Sequence, residues 1–312
     1  MAVSPNMVRI RRALGISNRG GFTAYVFVIP SVLFLLLFVV SPIISTFYYS
    51  FTKYDLLRAP EIVGFRNFEL LLGDNRFPRA ILNTLLFAGG TVPAGVITSL
   101  LLAVLINRSL PGIYFFRAMF YMPVVSSFVV VSLIWLWLYE PQFGLLNDLF
   151  EYFGLPRLKW LRSPNTAMLS IIILSVWKNM GLNMVIYLAG LQGIPPHLYE
   201  AAEIDGAGRN SSFWRITLPL LAPTTFFVVI VYFIGALQMF VQVFVMTTSA
   251  SGGVYQMGGP VDSTVTVVVL VYLHAFAYLK MGYAAAMSLV LFLVIGGITL
   301  LNARLLRYDI GY

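Results

Sequence analysis

Glu200–Pro223 reads EAAEIDGAGRNSSFWRITLPLLAP and lies between two long apolar segments, directly after Gly193-Ile194-Pro195-Pro196. Paired prolines suit a helix entry, where a missing N–H costs least. The spacing predicts a helix over His197 to Asp205, with Gly206 and Gly208 as its stops. A second short helix should follow, capped by Asn210, Ser211 or Ser212 and anchored by Phe213, Ile216 and Leu218. Pro219 then breaks that helix where the next apolar segment begins. Ala201 and Ala202 permit close backbone approach, and Glu200, Glu203 and Asp205 are left to solvent. The expected product is a helix–turn–helix knob lying across the mouth of a membrane protein and shaped for docking.

Composition supports the membrane setting. Of 312 residues, 59% are hydrophobic and only 10% charged, against an average apolar share of about 45–50% in globular chains. Span counting therefore replaces the usual length rule for domains. The absence of cysteine removes disulfides and thiolate metal sites. His197 and His274 are too few and too far apart in sequence to suggest a histidine metal site. The net charge of +8 comes from basic residues scattered at the edges of apolar segments, which is not a nucleic-acid stripe.

Six spans are expected, at about 25–47, 83–106, 119–139, 166–191, 224–246 and 283–303, forming one membrane domain over 24–303. Residues 1–23 read as an arginine-bearing lead, 192–223 as the knob-bearing loop and 304–312 as a tail. Thr264–Tyr278 is apolar but short, and reads as a partly buried or re-entrant helix. Gly89, Gly90 and Pro93 inside the second span allow close packing or a kink. Trp135, Trp137 and Tyr139 form an aromatic belt at the outer end of the third. An even span count puts both termini on one side. The acid-free Arg9, Arg11, Arg12 and Arg19 carry most of the case that this side is the cytoplasm.

No Asp or Glu lies in the core of any span, which argues against a self-powered proton symporter. There is no G-x-x-x-x-G-K-[ST] loop, so the chain has no P-loop of its own for ATP. No catalytic triad, metal cluster or paired intramembrane carboxylates point to an enzyme. The fourth span carries Trp177, Lys178 and Asn179, with Asn183 and Tyr187 at successive four-residue steps from Asn179 and so on one face. A lysine at mid-bilayer costs about 2.5–3.5 kcal/mol on insertion scales, so Lys178 should not face lipid. The fifth span offers Tyr232, then Gln238 and Gln242 four apart. Two readings are open for these groups. Amides and aromatic platforms suit a neutral polyhydroxylated cargo, with Lys178 as a counter-charge if the cargo is anionic. Alternatively the amides bond between helices as glue.

The knob has a specific spacing: E-A-A at Glu200–Ala202, Gly206 after three residues, then I-x-L-P at Ile216–Pro219. This resembles the signature loop of membrane subunits of binding-protein-dependent ABC importers, and its expanded form looks most like the maltose-type carbohydrate permeases. Four further strings are similar to that family: S-F-T-x-Y-D at 50–55, G-F-x-N-F at 64–68, G-G-P-x-x-S-T at 258–264 and G-Y-A-A-A-x-S at 282–288. The resemblance implies an all-α polytopic protein of six transmembrane helices with the type I importer permease fold, in the bacterial cytoplasmic membrane with both termini cytoplasmic. It implies that Glu200, Ala201, Ala202, Asp205, Gly206 and Ala207 grip a dimer of P-loop ATPase subunits. It also implies a second, different permease subunit and an external solute-binding protein or lipoprotein that delivers a sugar or oligosaccharide. ATP and Mg would belong to the partner ATPase, with no cofactor on this chain. A glycerol-phosphate-type cargo in the same importer class and a self-sufficient secondary carrier remain as alternatives.

Overall fold

The computed structural model describes residues 18–108, 111–251 and 257–305. Expectations at residues 1–17, at 252–256 and in the tail beyond 305 lie outside the described residues. The first helix, α1 (Asn18–Leu35), passes through a π-helical turn at Leu36–Val40 into α2 (Ser41–Ser50). It starts earlier than the expected lead allows, taking in Arg19. No residue of its most apolar window is buried. The α2 half packs on the chain's own last helix.

A two-residue antiparallel pair follows, β1 (Thr52–Lys53) with β2 (Glu61–Ile62), Thr52 facing Ile62. Then come α3 (Arg66–Leu72) and the long α4 (Arg76–Ile106), which carries Pro93 within it. Next are α5 (Ile113–Val125), α6 (Phe128–Leu138), the loop helix α7 (Leu145–Tyr152) and α8 (Pro164–Gln192). The knob comprises α9 (Pro196–Ile204), α10 (Arg209–Ser212), a π turn at Phe213–Thr217 and α11 (Leu218–Leu220). The chain continues through α12 (Ala222–Leu237), α13 (Val241–Ser251), the short apolar α14 (Val267–Tyr272) and α15 (Met281–Leu305). Among the described residues four helices are long and apolar enough to cross a bilayer, and two bent pairs bring the number up to six.

Two expected spans are not single rods. In the third, α5 and α6 meet at 98° across Ser126 and Ser127, whose backbones are extended. In the fifth, α12 ends at Leu237 and a new helix begins at Val241. The intervening Gln238–Phe240 linker breaks the face on which Gln238 and Gln242 were expected to lie together. Neither break has a proline or glycine at it. Tertiary hydrogen bonds hold them instead: Thr266 Oγ1 donates to the Met239 carbonyl at 3.1 Å. A backbone carbonyl freed from a helix in hydrocarbon needs such a donor.

The centre of the fold is α4 packed along α8, with α12 against both. Gly181 on α8 makes one close approach possible: a Cβ there would lie 2.1 Å from the Phe120 carbonyl oxygen of α5. The start of α4 is tied to the loop before α14. Arg76 pairs with Asp262 at 2.7 Å, and Asn83 Nδ2 donates to the carbonyls of Asp262 and Val265 at 2.8 and 2.9 Å. The other end of α4 shares a buried cluster with Leu191, Ile194 and Leu221, against which Leu198 and Tyr199 of the knob pack. The knob thus lies about 45 Å of helix away from Arg76.

Candidate functional site: the coupling knob and the seam above it

The α9 helix ends as its residues dictate. Asp205 is the C-cap, Gly206 takes φ +79°, and the next two N–H groups turn back onto the helix. Gly206 N–H donates to the Glu203 carbonyl at 3.0 Å and Ala207 N–H to the Ala202 carbonyl at 2.8 Å. This is a complete Schellman stop, which favours glycine because a Cβ is strained in the left-handed region. A Cβ at Gly206 would meet nothing within 4 Å, so the requirement is conformational and not one of space.

The second arm starts one turn earlier than its polar residues suggested: Gly208 is the N-cap of α10, ahead of Asn210, Ser211 and Ser212. Tyr199 on the first arm and Thr217 on the second share a hydroxyl–hydroxyl hydrogen bond of 2.9 Å that closes the knob at its base. Sequence reasoning missed this strut, because eighteen residues separate the partners and no periodicity links them. At the tip Glu200, Ala201, Glu203, Asp205 and Gly206 are exposed, while Ala202 and Ala207 are half-buried. Two large apolar residues are also open to solvent, Ile204 at 86% and Trp214 at 59%. Exposed apolar side chains beside three carboxylates give the knob the composition of a surface suited to a protein partner. Beyond it, the chain bends by 61° between the Arg209–Leu220 arm and α12, at Pro219–Pro223.

The polar residues expected on the cargo path divide into three places. Lys178 is buried, donates from Nζ to the Val124 carbonyl at 2.9 Å, and lies 5.0 Å from the centre of the Phe128 ring. It therefore caps the α5–α6 break from both sides. Trp177 is partly open and lies tilted against Trp135 of α6, with ring centres 5.6 Å apart.

Asn179, Asn183, Tyr187 and Tyr232 fall in the seam between α8 and α12. Asn179 Nδ2 bonds the Ser175 carbonyl at 2.9 Å, and the Tyr232 hydroxyl reaches the same carbonyl at 3.4 Å. Tyr187 lies against Thr225. Asn183 is buried, and its amide nitrogen has no hydrogen-bond partner among the described residues. Gln238 is exposed and opens onto an apolar cleft of about 520 Å³ beside α14 and α15, away from the seam. Gln242 lies in the first turn of α13, half-buried. Among the described residues no group of three or more His, Asp or Glu side chains converges to hold a metal ion.

The chain is a polytopic helical membrane protein with an exposed helical knob between its fourth and fifth spans. The match over residues 70–307 to the family described as "Binding-protein-dependent transport system inner membrane component" places it: the chain belongs to that family. It is the permease component of an ABC importer, a class that leaves ATP hydrolysis to a separate subunit. Among curated relatives, the probable ABC transporter permease protein YesP of Bacillus subtilis is 33% identical, covering 95% of this chain and 94% of that one. The arabinooligosaccharides transport system permease protein AraP of the same organism is 34% identical over 90% of this chain and 87% of AraP. The sn-glycerol-3-phosphate transport system permease protein UgpA of Yersinia pestis is 31% identical over 95% and 99%. A solved bacterial ABC transporter involved in the import of the acidic polysaccharide alginate has a chain that superposes with a TM-score of 0.76. It covers 94% of this chain and 98% of its own at 24% identity, and carries the fold.

Proposed function

We propose that this chain is one of two unlike permease subunits of an importer for a neutral sugar or oligosaccharide. An extracytoplasmic solute-binding protein delivers the cargo, and a cytoplasmic ATPase dimer grips the knob. In this reading Glu200 and Asp205 offer acidic contacts and Ala201, Ala202 and Ala207 the close fit. Gly206 sets the turn that presents them. Both termini and the knob then lie in the cytoplasm. ATP-driven closure of the ATPase pair rocks α8 and α12 together, since the knob joins them directly.

The observation that carries the cargo assignment is the engagement of Lys178. Its ammonium is committed to the Val124 carbonyl and the Phe128 ring, so the α8–α12 seam presents amides and phenols without a free cation. That chemistry matches hydroxyl-rich neutral cargo, in line with the arabinooligosaccharide relative. The glycerol-3-phosphate relative supports the second reading, an anionic cargo in the same importer class. Support for a partner permease comes from α1, whose apolar window has no buried residue and is free to pack on a neighbouring subunit. Uptake by the reconstituted importer should be competed by neutral oligosaccharides and indifferent to glycerol-3-phosphate. Competition by glycerol-3-phosphate alone would overturn the sugar assignment.

A further inference from the structure

On the membrane face opposite the knob, three of the sequence strings quoted above come together around one cleft of about 410 Å³. Lys53, Tyr54 and Asp55 come from 50–55, Arg66 and Asn67 from 64–68, and Tyr283 from 282–288. The cleft is assembled with some care. Gly282 lies so close to the β1 turn that a Cβ would be 1.9 Å from the Thr52 carbonyl oxygen. Asn67 Nδ2 donates to the Ser50 and Thr52 carbonyls at 2.9 and 2.8 Å. Leu279 is held at φ +54°, a conformation costly for a non-glycine residue.

The charges around this space are unevenly engaged. Internal donors engage both carboxylates to different extents: Asp55 accepts through Oδ1 from the Leu57 and Arg58 N–H groups, and Asp74 accepts through both oxygens, from Arg76 N–H and the Tyr283 hydroxyl. The side chains of the three cations Lys53, Arg66 and Lys280 donate no hydrogen bond and join no ion pair among the described residues. His274 also lines the cleft, edge-on to Tyr283 at 4.8 Å, and its buried Nδ1 has no partner there. Lys, Arg and His donors around a ligand-sized hollow with apolar walls form an oxyanion site.

We propose that this cleft is a second ligand site, separate from the cargo seam, that takes a phosphate group carried on a small organic body. Either an anionic phospholipid headgroup at the membrane surface or a soluble organic phosphate supplies that chemistry. Three cations not bonded to a carboxylate suit a phosphate, which presents several acceptor oxygens on one compact group. Nearby Leu70 and Leu279 give the organic part apolar contact.

The test uses the assembled transporter in nanodiscs of phosphatidylcholine, with and without phosphatidic acid. Retained lipid is read by native mass spectrometry, and methyl phosphate binding by isothermal titration in the phosphatidylcholine discs. The expected result is binding in one arm, which identifies the source, weakened roughly tenfold or more by the double substitution Arg66→Gln/Lys280→Gln. Arg58→Gln, a cation on the same loop outside the cleft, should bind as the parent does. Lys53→Gln gives an independent reading should the double variant fail to fold. The proposal is overturned if neither phosphate probe binds above phosphatidylcholine, or if binding is undiminished in the cleft variants. Capture of Lys280 by an acidic protein partner, with no phosphate bound, overturns it equally.

Discussion

Lys178 and Gly206 each carry a role that a single substitution separates from its rivals. Lys178→Met keeps most of the length of the side chain and removes its charge and donors. The Val124 carbonyl then loses its partner at the α5–α6 break, and a buried unsatisfied group costs about 1–3 kcal/mol. We expect a lower Tm for the purified variant and a parallel loss of transport. If the lysine instead met an anionic cargo, specificity would change while Tm held. At Gly206, alanine meets no steric obstacle but pays roughly 1–2 kcal/mol for the left-handed backbone. Gly206→Ala should therefore insert normally and weaken coupling, whereas Gly206→Asp or Ala202→Glu should abolish uptake in membranes that still contain the protein. Full uptake by Gly206→Asp or Ala202→Glu would remove the docking role. Gly206 was legible from sequence because helix stops have a local chemistry. The partner of Lys178 was not, since Val124 lies 54 residues away and no local pattern marks it.

At the scale of elements, the breaks and loops carry the surprises. Serines at 126 and 127 gave no breaker signal, and the 98° bend is set by Lys178 and Phe128 from outside and within. The Gln238–Phe240 break likewise depends on Thr266, 27 residues on. The long spans were legible because apolar runs of that length have few other uses. The knob was legible because prolines, alanines and glycines fix its turns. The proposed cargo path was only partly so: Gln238 and Gln242 needed an unbroken helix to share a face.

Two elements make direct tests. Gly181→Leu would drive a side chain into the α5 backbone at Phe120, and we expect it to prevent stable folding, read as loss of the monodisperse species on size exclusion. Asn147, fully buried in the loop between α6 and α8, bonds the Pro141 and Leu158 carbonyls, the Leu158 N–H and the Trp160 indole at 2.8–3.1 Å. Asn147→Ala should cost on the order of 2–3 kcal/mol and loosen this loop, read as faster amide exchange over residues 141–162. Arg157 braces the same loop through Glu151 and Asp148, at 2.6 and 2.9 Å, which hold its guanidinium pKa above the ordinary value. Because that pair is exposed, Arg157→Gln should have a much smaller effect than Asn147→Ala.

The whole molecule is a lever with its handle on one face. The knob is stapled by Tyr199–Thr217 and seated on the cluster that ends α4 and α8. It joins α8 through residues 193–195 and α12 through a 61° bend, and in the proposed reading a push on it reaches the α8–α12 seam. The arrangement makes sense only if something pushes, and the family supplies an ATPase for that task. The chain contains no cysteine, so one introduced thiol reports on one place. The decisive measurement is cross-linking from Ala201→Cys at the knob tip in native membranes, with Arg58→Cys on the opposite face as the control, followed by mass identification of the adducts. Coupling through the knob requires a P-loop ATPase joined to Ala201→Cys, with a yield that changes when ATP is added, and none joined to Arg58→Cys. Absence of any ATPase adduct at Ala201→Cys from membranes that still import cargo would contradict it.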